Sequence, residues 1–269
     1  MTTAITTVSR DTPTPYERAQ IDEIRAWRHE PPGVIERAGA VALSPVARIV
    51  TSLVPAAAIE AALRASDWMA TKTIPTTETQ ADAELHQLDA DARAIRKWAI
   101  AYAGSEGALA GAVGLFSLPV DLPAIITLSL RTIRRIGATY GYAATGEEER
   151  QFIYAVLSIA SANSVQQKRA ALQTLQGLET RMLAHNWAAI GERAARRGMG
   201  AETILLLARD VAEQLGFNLT KRKALTAIPL IGAAMGATVN GWYMRDIAAA
   251  AQRSYQHRWL QDRGLFHDK

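Results

Sequence analysis

Two apolar segments with regularly spaced glycines constrain the fold of this chain more than any other feature. The first runs from 104 to 130 and the second from 224 to 243. Their glycines recur every three or four residues and therefore fall on one face of a helix. Each glycine costs a helix roughly 1 kcal/mol relative to alanine, and a row of them lets a second helix backbone approach closely. We predict that the two segments pack against each other through these glycines: Gly104, Gly107, Gly111, Gly114, Gly232 and Gly236.

The composition favours helices throughout. Hydrophobic residues make up 49% of the chain, but only 6% of the residues are aromatic, and alanine supplies much of the apolar surface. Alanine is the strongest helix former, and no stretch alternates polar and apolar residues as a strand would. We predict an all-α fold, a compact multi-helix domain around a central close-packed pair of glycine-spaced apolar helices. Residues 1–15 are expected to be a disordered lead-in, 16–262 a single helical domain and 263–269 a polar tail.

Helical spacing predicts several individual elements. Helices are expected over Pro13–Glu30, Glu78–Tyr102 and Val165–Ile190, and a final helix over about Arg245–Leu260. In the helix over Glu78–Tyr102, apolar residues recur every three or four positions and predict a buried face. Charged residues between them predict a solvated face on the opposite side. The buried face comprises Leu85, Leu88, Ala92, Ile95, Trp98 or Ala99, and Tyr102, and the solvated face comprises Asp82, Glu84, Asp89, Asp91, Arg93, Arg96 and Lys97.

The first apolar segment is long enough to cross a bilayer, which takes about 20 residues. Asp121, two prolines and the glycines offset its apolar residues, so independent insertion is marginal. Basic residues follow the first segment and precede the second, and antiparallel packing would place all of them on one side, as the positive-inside rule requires. They are Arg131, Arg134, Arg135, Lys221, Arg222 and Lys223. The pattern fits a tight core, in which these residues cap helix ends, better than a bilayer-inserted or re-entrant hairpin, although both interpretations stay open.

Asp121 and Asn240, two polar residues inside the apolar segments, are candidate ligand-binding groups together with Arg131 and Arg134. Asp121 stands between Pro119 and Pro123, where an unpaired carboxylate would be costly. It either caps a helix that starts near Pro123, pairs with an arginine, most readily Arg131 or Arg134, or binds a ligand. Asn240 lies one turn after Gly236 and serves either as a hydrogen-bonding clamp between helices or as a pocket group.

The usual signatures of enzymes and cofactor sites are absent from the sequence. The chain has no cysteine and no phosphate-binding loop, nucleophile elbow or zinc-protease motif. The pair Asp82 and His86 suits a solvated helix face better than a metal site, so no metal or cofactor is expected and enzymatic activity stays open. The net charge of +4 is spread along the chain, which argues against nucleic-acid binding. The N-terminus lacks a secretory signal, and we expect a cytoplasmic protein.

The two segments resemble the signature of the EcsC family. The resemblance rests on Gly111–Pro123 with Arg131 and Tyr140-Gly141, and on Ile228–Gly236 with Asn240, and it extends over roughly 40–262. It implies an all-helical bacterial protein in a membrane-adjacent context, because the family's namesake is encoded beside an ABC-type exporter. The family's biochemical role is not established, and no catalytic residue can be transferred.

We therefore expect a peripheral membrane-associated or transporter- or secretion-associated accessory protein. Its predicted partners are an anionic membrane surface, peripheral to the inner membrane, or a membrane transporter complex, and its oligomeric state is open. In this interpretation the basic residues that flank the glycine-spaced helices face anionic lipid. The alternative is an enzyme, or a protein that binds a small ligand or lipid, with a pocket near Asp121 and Asn240.

Overall fold

The computed structural model describes residues 12–32, 83–113, 118–142, 146–162, 164–188 and 229–266, apart from the side chains of 106–123, 181, 183–188 and 229–240. These residues form six helices, and no strand occurs among them. The predicted all-α fold class is confirmed. In chain order the helices are α1 (Pro15–His29), α2 (Leu85–Val113), α3 (Leu118–Thr139), α4 (Glu147–Ser161), α5 (Val165–Ala188) and α6 (Pro229–Asp262).

Helix α6 is the central element of the described structure. It is 34 residues long and packs against α1, α2, α3 and α4. Most of its second half is buried, and several of its buried residues are alanines, which allow neighbouring backbones to come close. Its most extensive partner is α2. The two run antiparallel, because Gln256 contacts Asp89 near the start of α2 while Gly241 faces Ile100 further along it.

Helices α2 and α3 form an antiparallel hairpin beside α6. Ser129 of α3 contacts Met244, and Gly137, two turns later, faces Tyr255, so α3 runs parallel to α6 and opposite to α2. The approach at Gly137 is so close that a Cβ atom there would lie 2.5 Å from Cζ of the Tyr255 ring. Only glycine fits this position without a shift of the tyrosine.

The predicted glycine-spaced pair corresponds to parts of α2 and α6. Gly104, Gly107 and Gly111 lie in α2, and Gly232 and Gly236 lie in α6. These two helices pack against each other, but contact between the glycines themselves stays a prediction, because the side chains around most of them are outside the described set. Gly114 also lies outside the described residues. No helix in the described ranges combines the length and apolarity needed to span a bilayer.

The first apolar segment is not one helix. Helix α2 ends at Val113 and α3 begins at Leu118, so the stretch from 104 to 130 is divided between the two arms of the hairpin. Asp121 lies inside α3, three residues after its first residue. It is therefore not the cap of a helix that starts near Pro123. Pro119 falls in the first turn of α3, where a missing N–H costs little.

The second segment and the predicted final helix are one continuous helix. No proline or glycine occurs between 242 and 262, and α6 runs without a break through Tyr243 and Met244, both of which are buried. The sequence analysis placed a separate final helix at about Arg245–Leu260. A helix that is buried over most of its surface does not need a strong apolar period.

Helix α1 agrees with the helix expected over Pro13–Glu30, whereas the C-terminal end differs from the expected polar tail. Thr14 begins α1 with a capping box, in which Glu17 N–H donates to Thr14 Oγ1 at 3.2 Å and the Glu17 carboxylate accepts from Thr14 N–H. At the other end, Gly264 adopts a φ of 67° and turns the chain back over α6. Leu265 and Phe266 are consequently buried, and the prediction of a polar tail is wrong for these two residues.

Candidate functional site

The first predicted basic group lies on α3 and divides between its faces. Arg134 is buried, with 3% of its surface exposed, whereas Arg131 and Arg135 are partly exposed. A role at a lipid surface is therefore left to Arg131 and Arg135 within this group. The Arg135 guanidinium lies over the ring of Trp98, 5.2 Å from its centroid. The second basic group, Lys221, Arg222 and Lys223, lies outside the described residues.

Two large aromatic side chains are exposed beside these arginines. Trp98 is 43% exposed and Tyr102 is 44% exposed, and their rings stack with centroids 5.3 Å apart. They stand one turn apart on α2, and Arg131 stands one turn before Arg135 on the same face of α3. We call Trp98, Tyr102, Arg131 and Arg135 the aromatic–basic patch. The predicted buried face passed through Trp98 or Ala99 and then Tyr102. Ala99 is buried, whereas Tyr102 is exposed and Ala103 is buried in its place.

The predicted ligand-binding residues Asp121 and Asn240 lie in helices, but their side chains are not described. Asp121 belongs to α3 and Asn240 to α6, so a pocket near them stays a prediction. The acidic face of α2 also differs from expectation. His86 is exposed and pairs with Glu84 at 3.2 Å, while Asp89 faces the interior. Within the described ranges, no three His, Asp or Glu side chains come together as metal ligands.

Asp89 is the polar residue that the sequence analysis misplaced. It is fully buried, and its carboxylate accepts hydrogen bonds from Tyr16 Oη at 2.6 Å, from Gln256 Nε2 at 2.8 Å and from the Tyr140 hydroxyl. Burial and the adjacent carboxylate raise the pKa of Tyr140 well above its usual value, so its hydroxyl keeps the proton it donates. One carboxylate thereby ties α1, α2, the end of α3 and α6 together.

Glu149 makes a comparable connection between α4 and α6. Its carboxylate accepts from Tyr255 Oη at 2.8 Å and pairs with Arg258 Nη1 at 2.7 Å. The Arg258 guanidinium also stands 3.9 Å from the centroid of the Tyr142 ring. Burial raises the pKa of Tyr255 well above its usual value, and the Glu149 charge adds to the effect. The tyrosine therefore remains a donor at neutral pH.

A third buried carboxylate, Glu179 of α5, contacts His257. His257 Nδ1 lies 3.0 Å from Glu179 Oε1, and its Nε2 lies 2.8 Å from Arg28 Nη2 of α1. Because arginine can only donate, Nε2 accepts and Nδ1 donates to Glu179. Only 2% of each side chain of the His257–Glu179 pair is exposed, so a substrate cannot reach the pair in this conformation. We assign these three buried connections to the positioning of α6.

Comparison with known proteins gives the family directly. The family model described as "EcsC protein family" matches residues 18–260, nearly the whole chain. This chain belongs to the EcsC family. It is also similar to the "Uncharacterized protein YdbA" of Bacillus subtilis (strain 168), with 30% identity over 158 residues, which cover 59% of this chain and 53% of that relative. The chain thus matches about half the length of this relative. No solved structure matches it.

Proposed function

We propose that this EcsC-family protein acts at an anionic membrane surface, to which it binds peripherally through the aromatic–basic patch. The observation that carries the proposal is the pair of exposed, stacked rings of Trp98 and Tyr102, with the Arg135 guanidinium over one of them. Tryptophan and tyrosine are the side chains enriched at membrane interfaces, where an apolar ring and a polar edge both find suitable surroundings. Arginine beside them adds attraction to anionic headgroups.

The position of the patch on the α2–α3 hairpin supports the same interpretation. The sequence between Gly107 and Val120, which joins the two arms, contains no charged residue. The patch therefore lies on a hairpin whose connecting sequence is apolar. Two aromatic side chains and two arginines on the arms of such a hairpin are the combination of apolar and cationic groups that interfacial membrane binding uses.

Flotation with lipid vesicles tests the proposal. The protein is expected to float with vesicles that contain phosphatidylglycerol and not with vesicles of phosphatidylcholine alone. Each arginine near an anionic surface contributes about 1 kcal/mol, so replacing both Arg131 and Arg135 by alanine is expected to weaken binding about thirtyfold. Replacing Trp98 and Tyr102 by alanine is expected to weaken binding to the same vesicles and to reduce its persistence in high salt, because the apolar contribution is then lost.

The matched control is Arg169→Ala, which removes an exposed arginine from α5, away from the patch. It is expected to leave flotation unchanged. Equal flotation of the patch variants and the control, or equal binding to neutral and anionic vesicles, would overturn the proposal. Thermal unfolding of each variant checks that the fold is retained. An accessory role at a membrane transporter complex stays a prediction that no contact among the described residues tests.

A further inference from the structure

A cavity of about 470 Å³ opens where the end of α1 meets α2, α4, α5 and α6. Its volume falls within the range of about 300–1,000 Å³ that small-molecule sites occupy. Its apolar lining includes Trp27, Pro32, Ile159 and Ala249, and its charged lining comprises Glu30, Arg96, Lys168, Arg245 and Asp246. The cavity is separate from the aromatic–basic patch, because Arg96 and Trp98 are two residues apart on one helix and point in nearly opposite directions.

Lys168 is held at the cavity by the end of α1. Only 5% of the residue is exposed, and its ammonium donates to Trp27 O at 2.6 Å and to Glu30 O at 2.9 Å. The Trp27 ring lies beside it, with its centroid 4.8 Å from Nζ. An ammonium has three N–H groups, so two carbonyl acceptors leave one donor available. Burial lowers the pKa of Lys168, and the nearby Glu30 and Asp246 carboxylates offset this effect only in part.

The two arginines at the cavity lack strong partners. No hydrogen bond or ion pair joins Arg96 to a described residue, and burial together with repulsion from Arg245 and Arg253 lowers the pKa of Arg96. Arg245 pairs only weakly with the neighbouring Asp246, at 3.3 Å. Two guanidinium groups and one ammonium therefore line a partly enclosed space with donors to spare.

The balance of charge indicates what would fill this space. Three cations face the partly buried Asp246 carboxylate, and Glu30 is exposed at the edge, where water screens it. With both carboxylates counted, the lining carries three positive and two negative charges, so a net positive charge remains. A phosphate monoester carries close to two negative charges at neutral pH and offers three acceptor oxygens. Its organic part would contact the apolar lining, which inorganic phosphate cannot do.

We propose that this cavity binds a small organic phosphate monoester, with its phosphate oxygens on Arg96, Lys168 and Arg245. A hydroxyl of the organic part donates to Asp246. The same chemistry occurs in a free phosphorylated metabolite and in the headgroup of a phosphatidic acid, and the experiment below distinguishes the two. The site does not depend on the membrane proposal, since it shares no residue with the aromatic–basic patch.

Calorimetric titration of the full-length protein with glycerol 3-phosphate tests the site, with inorganic phosphate and glycerol as comparisons. Glycerol 3-phosphate is expected to bind more tightly than inorganic phosphate, and glycerol is not expected to bind. Arg96→Gln is expected to weaken binding of glycerol 3-phosphate at least about tenfold, because a charge-assisted contact is lost. The same variant is expected to unfold at no lower temperature than the wild type without ligand, since no described residue shares a hydrogen bond with Arg96.

Arg169→Gln is the matched control, since it removes an exposed arginine next to Lys168 in the sequence, and it is expected to bind glycerol 3-phosphate like the wild type. Wild-type affinity in the Arg96 variant, or no binding of glycerol 3-phosphate by the wild type, would overturn the proposal. Vesicles containing phosphatidic acid distinguish the two sources of the phosphate monoester. If glycerol 3-phosphate competes with these vesicles for the protein, the ligand is a lipid headgroup. If glycerol 3-phosphate binds but does not compete with them, the ligand is a free metabolite. A Trp98→Ala, Tyr102→Ala variant is expected to retain soluble binding, so failure of the membrane proposal leaves this one standing.

Discussion

Replacing Asp89 by asparagine is expected to destabilise the protein, although the new side chain has almost the same shape. The carboxylate accepts from Tyr16 at 2.6 Å, from Gln256 at 2.8 Å and from Tyr140. Hydrogen bonds to a charged group contribute about 1.5–3 kcal/mol each. The asparagine oxygen can accept from at most two donors, and both bonds lose the assistance of the charge.

The loss is partly offset, because a neutral amide is cheaper to bury than a carboxylate. One lost bond and two weakened ones, less this gain, give a net destabilisation of about 3 kcal/mol. In a chain of this size each kcal/mol shifts the unfolding midpoint by about 2–4 °C, so the midpoint is expected to fall by about 6–12 °C. Differential scanning calorimetry and urea titration measure the change.

Asp91→Asn is the matched control, because Asp91 is exposed on the same helix two residues away. Its unfolding free energy is expected to change by less than about 0.5 kcal/mol. Adding Tyr16→Phe to both the wild type and the Asp89 variant then measures the coupling between the hydroxyl and the carboxylate, which is expected to be about 1–3 kcal/mol. Equal stability of the two asparagine variants, or zero coupling, would refute the assignment of Asp89 to a connection between helices.

The remaining predictions concern packing and charge, and urea unfolding measures each of them. Gly137→Ala is expected to lower the free energy of unfolding by about 1–3 kcal/mol, because its Cβ would meet the Tyr255 ring. Gly177→Ala, with no atom within 4 Å of the added Cβ, is expected to raise it by up to about 1 kcal/mol. Equal effects of the two substitutions would contradict this packing. Phe266→Ala is expected to lower the free energy of unfolding by about 3–5 kcal/mol, because Phe266 is buried. A loss below about 1 kcal/mol would instead support the predicted polar tail. Burial raises the pKa of Asp246, so the stability contributed by its protonated form is complete below about pH 4 and is lost as the pH rises through the raised folded value. Asp246→Asn is therefore expected to be more stable than the wild type at pH 7 and to lose that advantage near pH 4; an advantage independent of pH would contradict the sign.

The sequence carried enough information for the fold class and for the elements with local signals. Helix α1 follows from a local signal, since Thr14, Pro15 and Glu17 form a capping box whose partners are three residues apart. Two motifs in the sequence indicated the family, and the match of the family model over residues 18–260 confirms it. Both kinds of signal depend on short spacing within the chain, which is the information that a single sequence displays.

Helical spacing in the sequence also indicated a buried position for Asp89, whereas its charge favoured a solvated one. It stands four residues after Leu85 and three before Ala92, and both of these are buried, so helical geometry places it on the same face. Tyr102 shows the reverse error, because an aromatic residue was expected in the core and the small Ala103 is buried instead. A charged residue is rarely buried without partners, and the partners of Asp89 are distant in the chain.

The orientation of α6 depends on contacts that local spacing cannot reveal. Because most of the second half of this helix is buried, its apolar residues do not strongly favour one rotation about its axis over another. Its residues 255–258 point in directions about 100° apart and reach three different carboxylates. Glu149 meets Tyr255 and Arg258, Asp89 meets Gln256, and Glu179 meets His257, across sequence separations of 106, 167 and 78 residues for the contacts of Tyr255, Gln256 and His257. A rotation by one residue would leave buried carboxylates without donors, which costs several kcal/mol, so this polar turn selects the rotation that the apolar packing leaves undetermined.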